Sequence, residues 1–155
     1  MILSKNMTAT GHALIGTVIA AKIGNPVLAI PIAIYSHLLA DAFPHWDAGT
    51  NAKNKTHKRL IVDAVIDVLL SFLVSYLVIY FLFPKTNLIY AFIIVLASQG
   101  FDWLTMPYYF FNIKLPLFTW AYHFQKNFDN RLDKPWGVIN QAAILILLIT
   151  LAKFF

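Results

Sequence analysis

The sequence predicts an all-α, polytopic membrane helical bundle of about five transmembrane helices. Three observations carry this: 59% of the residues are hydrophobic, only 12% are charged, and the apolar residues gather into five segments separated by Pro, Gly and basic breaks. An average soluble domain carries about 25% charged residues, so a water-soluble fold is a poor fit. The mean hydropathy of +0.67 points the same way. With no Ser/Gly linker, low-complexity tract or internal repeat to divide it, the chain reads as a single integral membrane domain over residues 1–155.

The expected segments are residues 9–23, 27–43, 60–83, 88–106 and 137–155. Spanning a bilayer takes about 20 apolar residues, so the third is comfortable and the fourth and fifth are adequate. The first two are short, and Gly24-Asn25-Pro26 between them is a tight-turn signal, so they form a short helical hairpin. Pro44 ends the second segment, Phe83-Pro84-Lys85 ends the third, and Pro135-Trp136 precedes the fifth. The aromatic and basic connection over residues 107–136 is expected to lie at the membrane interface, with a short amphipathic helix around residues 119–131. His12 interrupts the apolar N-terminal stretch, which runs on into a second apolar segment, so it reads as mature structure rather than a cleaved signal.

Basic residues set the orientation. With the N-terminus inside, the inner side holds Lys5, Lys53, Lys55, Lys58, Arg59, Lys114, Lys126, Arg131 and Lys134, and the outer side Lys22, Lys85 and Lys153. This bias predicts a cytoplasmic (inner) membrane protein with a cytoplasmic N-terminus. The net charge of +5 sits in loops beside apolar segments, which makes membrane lipids rather than nucleic acid the expected partner. The absence of cysteine excludes disulfides, thiolate metal sites and a Cys nucleophile.

Ionisable side chains within apolar segments cost free energy and ask for a function. All seven acids are Asp, and Asp41, Asp63, Asp67 and Asp102 fall inside or at the ends of the apolar segments together with His12 and His37. Threading the alternating topology brings all six to the cytoplasmic leaflet, where Asn140 and Gln141 of the fifth segment join them. Residues four apart share a helical face. His37 and Asp41 are such a pair; Asp63, Asp67, Ser71 and Ser75 form a polar stripe; Thr8, His12, Gly16, Ala20 and Gly24 form a small-residue stripe that lets helices approach closely. Ser98, Gln99 and Asp102 give the fourth segment a polar side.

Carboxylates at close quarters repel unless a cation neutralises them. Two imidazoles with several carboxylates suit a divalent metal, zinc or manganese first, and ferrous iron as well. His12, His37, Asp41, Asp63 and Asp102 are the expected ligands, with Asp67 as catalytic base, and the set is large enough for two ions. Simpler readings stand beside these: His37 and Asp41 as interhelical hydrogen-bonding partners, and Asp63 at the positive end of a helix. His45 and Asp47 are open between a solvated loop and a site, His57 belongs to a lipid-facing basic run, and His123, Asp129 and Asp133 form a solvated face.

Thr10-Gly11-His12 with Gly16, Ser36-His37-Leu38-Leu39-Ala40-Asp41, and Gln99-Gly100-Phe101-Asp102-Trp103 together resemble the membrane-bound, metal-dependent hydrolase family of inner-membrane-associated proteins. The likeness covers roughly the first two-thirds of the chain. It implies metal-site roles for His12, His37 and Asp41, and for Asp102. The family's H-R-G-x-T-H-S-type stretch is replaced here by Thr56-His57-Lys58-Arg59, followed by Asp63 and Asp67.

The leading expectation is a membrane-embedded metal-dependent hydrolase acting on a phospholipid-like phosphoester at the cytoplasmic headgroup level. The alternatives are a non-catalytic carrier, an ion or proton pathway, and a structural membrane subunit.

Overall fold

A computed structural model describes residues 7–47, 54–128 and 130–155. Lys5, Lys53 and Asp129 lie outside the described residues. Among the described residues the protein is all-helical: seven helices, no strand, and one isolated bridge between His45 and Arg131.

Helix α1 (Ala9–Lys22) is the centre of the bundle, wrapped by α2 (Pro26–Ala42), α3 (His57–Leu82), α4 (Leu88–Ser98) and α7 (Trp136–Phe154). It buries residues on every face, from Ala9 and His12 through Thr17 to Ala20. Small residues make this enclosure possible: a Cβ on Gly16 would collide with the Ser98 side chain and lie 3.2 Å from the Val95 Cα. Gly24, at the far end of the expected small-residue stripe, has nothing within 4 Å and takes no part in the close approach. The turn between α1 and α2 follows the expected pattern, with Asn25 Oδ1 accepting from Val27 N at 2.9 Å and Pro26 at the first helical position.

Helix α3 begins a turn earlier than expected because the Thr56 hydroxyl accepts from Arg59 N at 3.2 Å. Its polar stripe faces inward, with Ser71 and Ser75 buried. The opposite face is apolar and exposed, as Val65, Leu69, Leu73 and Phe81 show, which is how a surface meets hydrocarbon.

The fourth expected segment is two helices. Helix α4 ends at Ser98, and α5 (Gly100–Phe111) departs from it at an angle of 50°. The break falls where two polar residues and a glycine, Ser98-Gln99-Gly100, interrupt an otherwise apolar run. Helix α5 runs through Pro107 and stops at Asn112, whose left-handed φ of 54° suits a helix C-terminus. The helix expected at the interface is α6 (Pro116–Gln125), earlier than residues 119–131 because Pro116 sets its first turn.

By length and composition two helices, α3 and α7, can cross a membrane, and a third crossing is available if the bent α4–α5 pair is one span. That is fewer than the five expected. The 14 residues of α1 and 17 of α2 correspond to rises of about 21 and about 26 Å, against a hydrocarbon core of about 30 Å. The end of the bundle away from His12 is closed by an apolar cluster of Ile19, Ala20, Ala29, Ala33, Ile79, Ala91 and Ile94.

Candidate metal centre

The centre forms where α1, α2, the α4–α5 break and α6 meet. His12 comes from the second turn of α1 and His37 and Asp41 from the last turns of α2, all three with fully buried side chains. Asp102, from the first turn of α5, keeps 23% of its side chain exposed. The imidazoles of His12 and His37 are stacked, centroids 3.7 Å apart and planes 12° from parallel. Asp41 Oδ1 lies 3.2 Å from His12 Nε2, Asp41 Oδ2 lies 3.5 Å from His37 Nε2, and Asp102 Oδ1 lies 3.7 Å from the same nitrogen.

Several contacts orient these groups. Because the Ser98 carbonyl can only accept, His37 Nδ1 donates to it at 2.8 Å, and in the neutral ring Nε2 is left with its lone pair facing the carboxylates. The helix break is what brings Ser98 and Asp102 to opposite sides of this ring. Asp41 Oδ1 accepts from Met7 N at 2.7 Å, and the Asp41 carbonyl accepts from Asn130 N at 3.0 Å, tying the end of α2 to the connection before α7.

The donor set fits a divalent cation. Ligands about 2.1 Å from one tetrahedral ion stand about 3.4 Å apart, close to the spacings of Asp41 from each histidine and of His37 from Asp102. His12, His37 and Asp102 each offer a ligand atom within 4.8 Å of the others, so closing all three on one ion draws the widest pair inward. His12 Nδ1 is buried without a hydrogen-bond partner, Nε2 faces Asp41 Oδ1 at 3.2 Å, and Oε1 of both Gln99 and Gln125 is buried without a partner. Buried unsatisfied polar atoms cost about 1–3 kcal/mol each, a cost that a bound cation would offset at His12.

Two of the expected site residues lie elsewhere. Asp63 is engaged by Lys55 Nζ of the preceding loop at 3.0 Å and by Arg59 Nε of its own helix at 2.8 Å, so these cations take the carboxylate that was expected to be a ligand. Asp67 holds the N-terminus of α1: Oδ2 accepts from Ala9 N at 2.7 Å, while Oδ1 accepts from Thr10 N at 3.2 Å and from Thr10 Oγ1 at 2.7 Å. A carboxylate offers about four acceptor sites, and three are taken here, so Asp67 positions the start of α1. Gln141 and Asn140 also hold the bundle together, donating to Thr8 Oγ1 and to the Pro44 carbonyl.

Gln125 is a member of the centre that the sequence reading passed over. It is buried, and its Nε2 lies within 3.4 Å of His37, Asp41 and Asp102. Its signal was present in the pattern of α6, where Ala121, Tyr122 and Gln125 form one buried face. His45 and Asp47 are buried rather than solvated, with Asp47 3.8 Å from Arg131. His57 and His123 are exposed, as is Asp133.

Asp102 also lines a cavity of about 310 Å³ between α3 and α5. Its walls are mostly apolar, with Asp47, Asp67, Gln99 and Asp102 as its acidic and amide groups. Exposed Val65, Leu69, Met106 and Phe111 belong to the same lining, so the cavity opens on the apolar outer surface. No family model, curated protein or solved structure matches the chain.

Proposed function

We propose that the protein is a membrane-embedded, metal-dependent hydrolase that acts on the phosphoester of a phospholipid-like amphiphile. The observation carrying this reading is that Asp102 belongs both to the buried His/Asp group and to an apolar cavity open to the outer surface. A substrate held with its tail in that cavity would bring its headgroup to Asp102 and His37. A divalent cation bound by His12, His37, Asp41 and Asp102, zinc or manganese by ligand type, would supply Lewis acidity to activate water and offset charge on the phosphoryl oxygens. The chain's own part is orientation: Ser98 fixes the His37 ring, Met7 N fixes Asp41, and the apolar walls limit water around the ester. Net hydrolysis forms one bond from water oxygen to phosphorus, breaks one ester bond, and delivers a proton to the leaving alcohol.

The same reading places the protein in the cytoplasmic membrane with its N-terminus inside, as a bundle of about five crossings in which α1 and α2 are a short hairpin. The positive-inside bias and the exposed apolar faces of α3 and α7 support it. A carrier or ion pathway is less well supported, because the polar stripe of α3 runs from Asp67 through Ser71 and Ser75 into the apolar cluster around Ile79. A structural role has one observation in its favour: Asp41, Asp67, Asn140 and Gln141 all make hydrogen bonds to other elements.

The deciding experiment uses full-length protein in nanodiscs, loaded with zinc or manganese and given phosphatidic acid, a lysophospholipid and a soluble phosphate monoester. Metal-dependent release from an amphiphile, lost in Asp102→Asn, is the expected result. Metal binding without turnover of any of them would move the protein to the structural reading.

A further inference from the structure

The amide of Gln125 faces an arrangement that its own chemistry cannot satisfy. Its Nε2 lies 2.7 Å from His37 Nε2, 3.1 Å from Asp41 Oδ2 and 3.4 Å from Asp102 Oδ1. In the neutral imidazole all three are acceptors, since the Ser98 carbonyl holds the His37 proton on Nδ1. An amide nitrogen carries two hydrogens, one fewer than the acceptors around it. On the other side of the same group, Oε1 is buried and meets no donor. The amide is therefore one donor short inward and one acceptor in excess outward.

Half a turn about the terminal bond exchanges Oε1 with Nε2 and leaves the shape nearly unchanged. With no cation present, that turn would aim Oε1 at a lone pair and two carboxylates, an all-repulsive arrangement. With a cation among them it adds an oxygen ligand of the kind that zinc and manganese accept. We infer that Gln125 is a cation-dependent ligand: its NH2 holds His37, Asp41 and Asp102 together in the absence of a cation, and its Oε1 turns inward when a divalent cation binds.

This inference rests on the metal-centre reading above and adds a consequence that reading does not contain. Gln125 is the last residue of α6, and the main chain beyond it turns back to α2 through Asn130. Cation binding is thereby coupled to an interfacial helix that contributes no other group to the centre.

Full-length protein in detergent, stripped with chelator, would be titrated calorimetrically with zinc(II) and with manganese(II) as wild type, Gln125→Met and Gln125→Glu. Loss of a ligand in Gln125→Met should weaken binding about tenfold or more, and the charged oxygen of Gln125→Glu should tighten it by a similar factor. Unchanged or tighter binding in Gln125→Met would overturn the inference, because it would make the amide a competitor of the cation. Should Gln125→Met fail to fold, Gln125→Glu carries the test alone, and binding no tighter than wild type overturns it. A wild type that binds neither ion removes the metal-centre reading and this inference together, whereas wild-type binding with indifferent variants removes only the inference.

Discussion

His37 Nδ1 lies 2.8 Å from the carbonyl oxygen of Ser98, the last residue of α4, so a break in one helix sets the tautomer of a histidine on another. The lone pair this leaves on Nε2 faces Asp41 and Asp102, an arrangement suited to a cation. A ligand present at about 100 times its dissociation constant stabilises the folded state by about 2.7 kcal/mol. Chelator should accordingly lower the melting temperature of the purified protein by several degrees, about 2–4 °C per kcal/mol for a chain of this size. His37→Ala should melt lower and lose the chelator sensitivity. A wild type indifferent to chelator, with no metal in elemental analysis, would leave the centre as interhelical hydrogen bonding.

Asp67 and Asp41 are separated by a second prediction. Asp67 supplies acceptors to two main-chain N–H groups at the start of α1, and its charge favours that helix end. Asp67→Asn keeps one acceptor oxygen and loses the charge, so it should cost about 1–2 kcal/mol in stability while leaving metal content unchanged. Asp41→Asn should lose the metal. Loss of metal in both variants, measured on folded protein, would make Asp67 a ligand and leave the base unassigned.

Phase along a helix was legible in the sequence, and partners across helices were not. The four-residue spacing of His37 and Asp41 placed both on one face, and depth in the membrane placed His12 and Asp102 beside them. Asp63 and Asp67 share a face and nearly a depth, yet Lys55 and Arg59 claim one and a helix N-terminus claims the other. Within α3, Arg59 one turn before Asp63 favours that pairing, but the other deciding groups, Lys55, Ala9 and Thr10, lie in other elements. Gln125 was passed over for a related reason: a polar residue in an interfacial segment is ordinarily solvated, and its burial depends on how α6 docks against α5.

Gly16 tests whether the centre depends on the close contact of α1 and α4. A side chain there meets Ser98, the residue whose carbonyl orients His37. Gly16→Val should destabilise the fold by about 1–3 kcal/mol through overpacking. It should also weaken metal binding, since the displaced residue holds a ligand. Reduced stability with unchanged zinc affinity would show that the Ser98 carbonyl tolerates the shift and that His37 is oriented by its other neighbours.

Orientation in the membrane rests on the distribution of charge and can be read directly, because the chain has no cysteine of its own. Asn54 and Asn127 are exposed on the connections assigned to the cytoplasm, and Lys85 is exposed in the turn between α3 and α4. Lys85 is preferable to Asn87 as the outer site, because Asn87 Oδ1 accepts from Tyr90 N and caps α4. Single cysteines at Asn54 and Asn127 should react with an impermeant thiol reagent only after the inner face is exposed, and a cysteine at Lys85 should react in intact cells. Reversed labelling would invert the protein and move the centre to the outer leaflet, with the group of His12, His37, Asp41 and Asp102 intact. Labelling of Asn54 and Lys85 from the same side would be more consequential. It would mean that α3, with 26 residues the longest helix of the seven described, does not cross, and the membrane bundle itself would have to be abandoned.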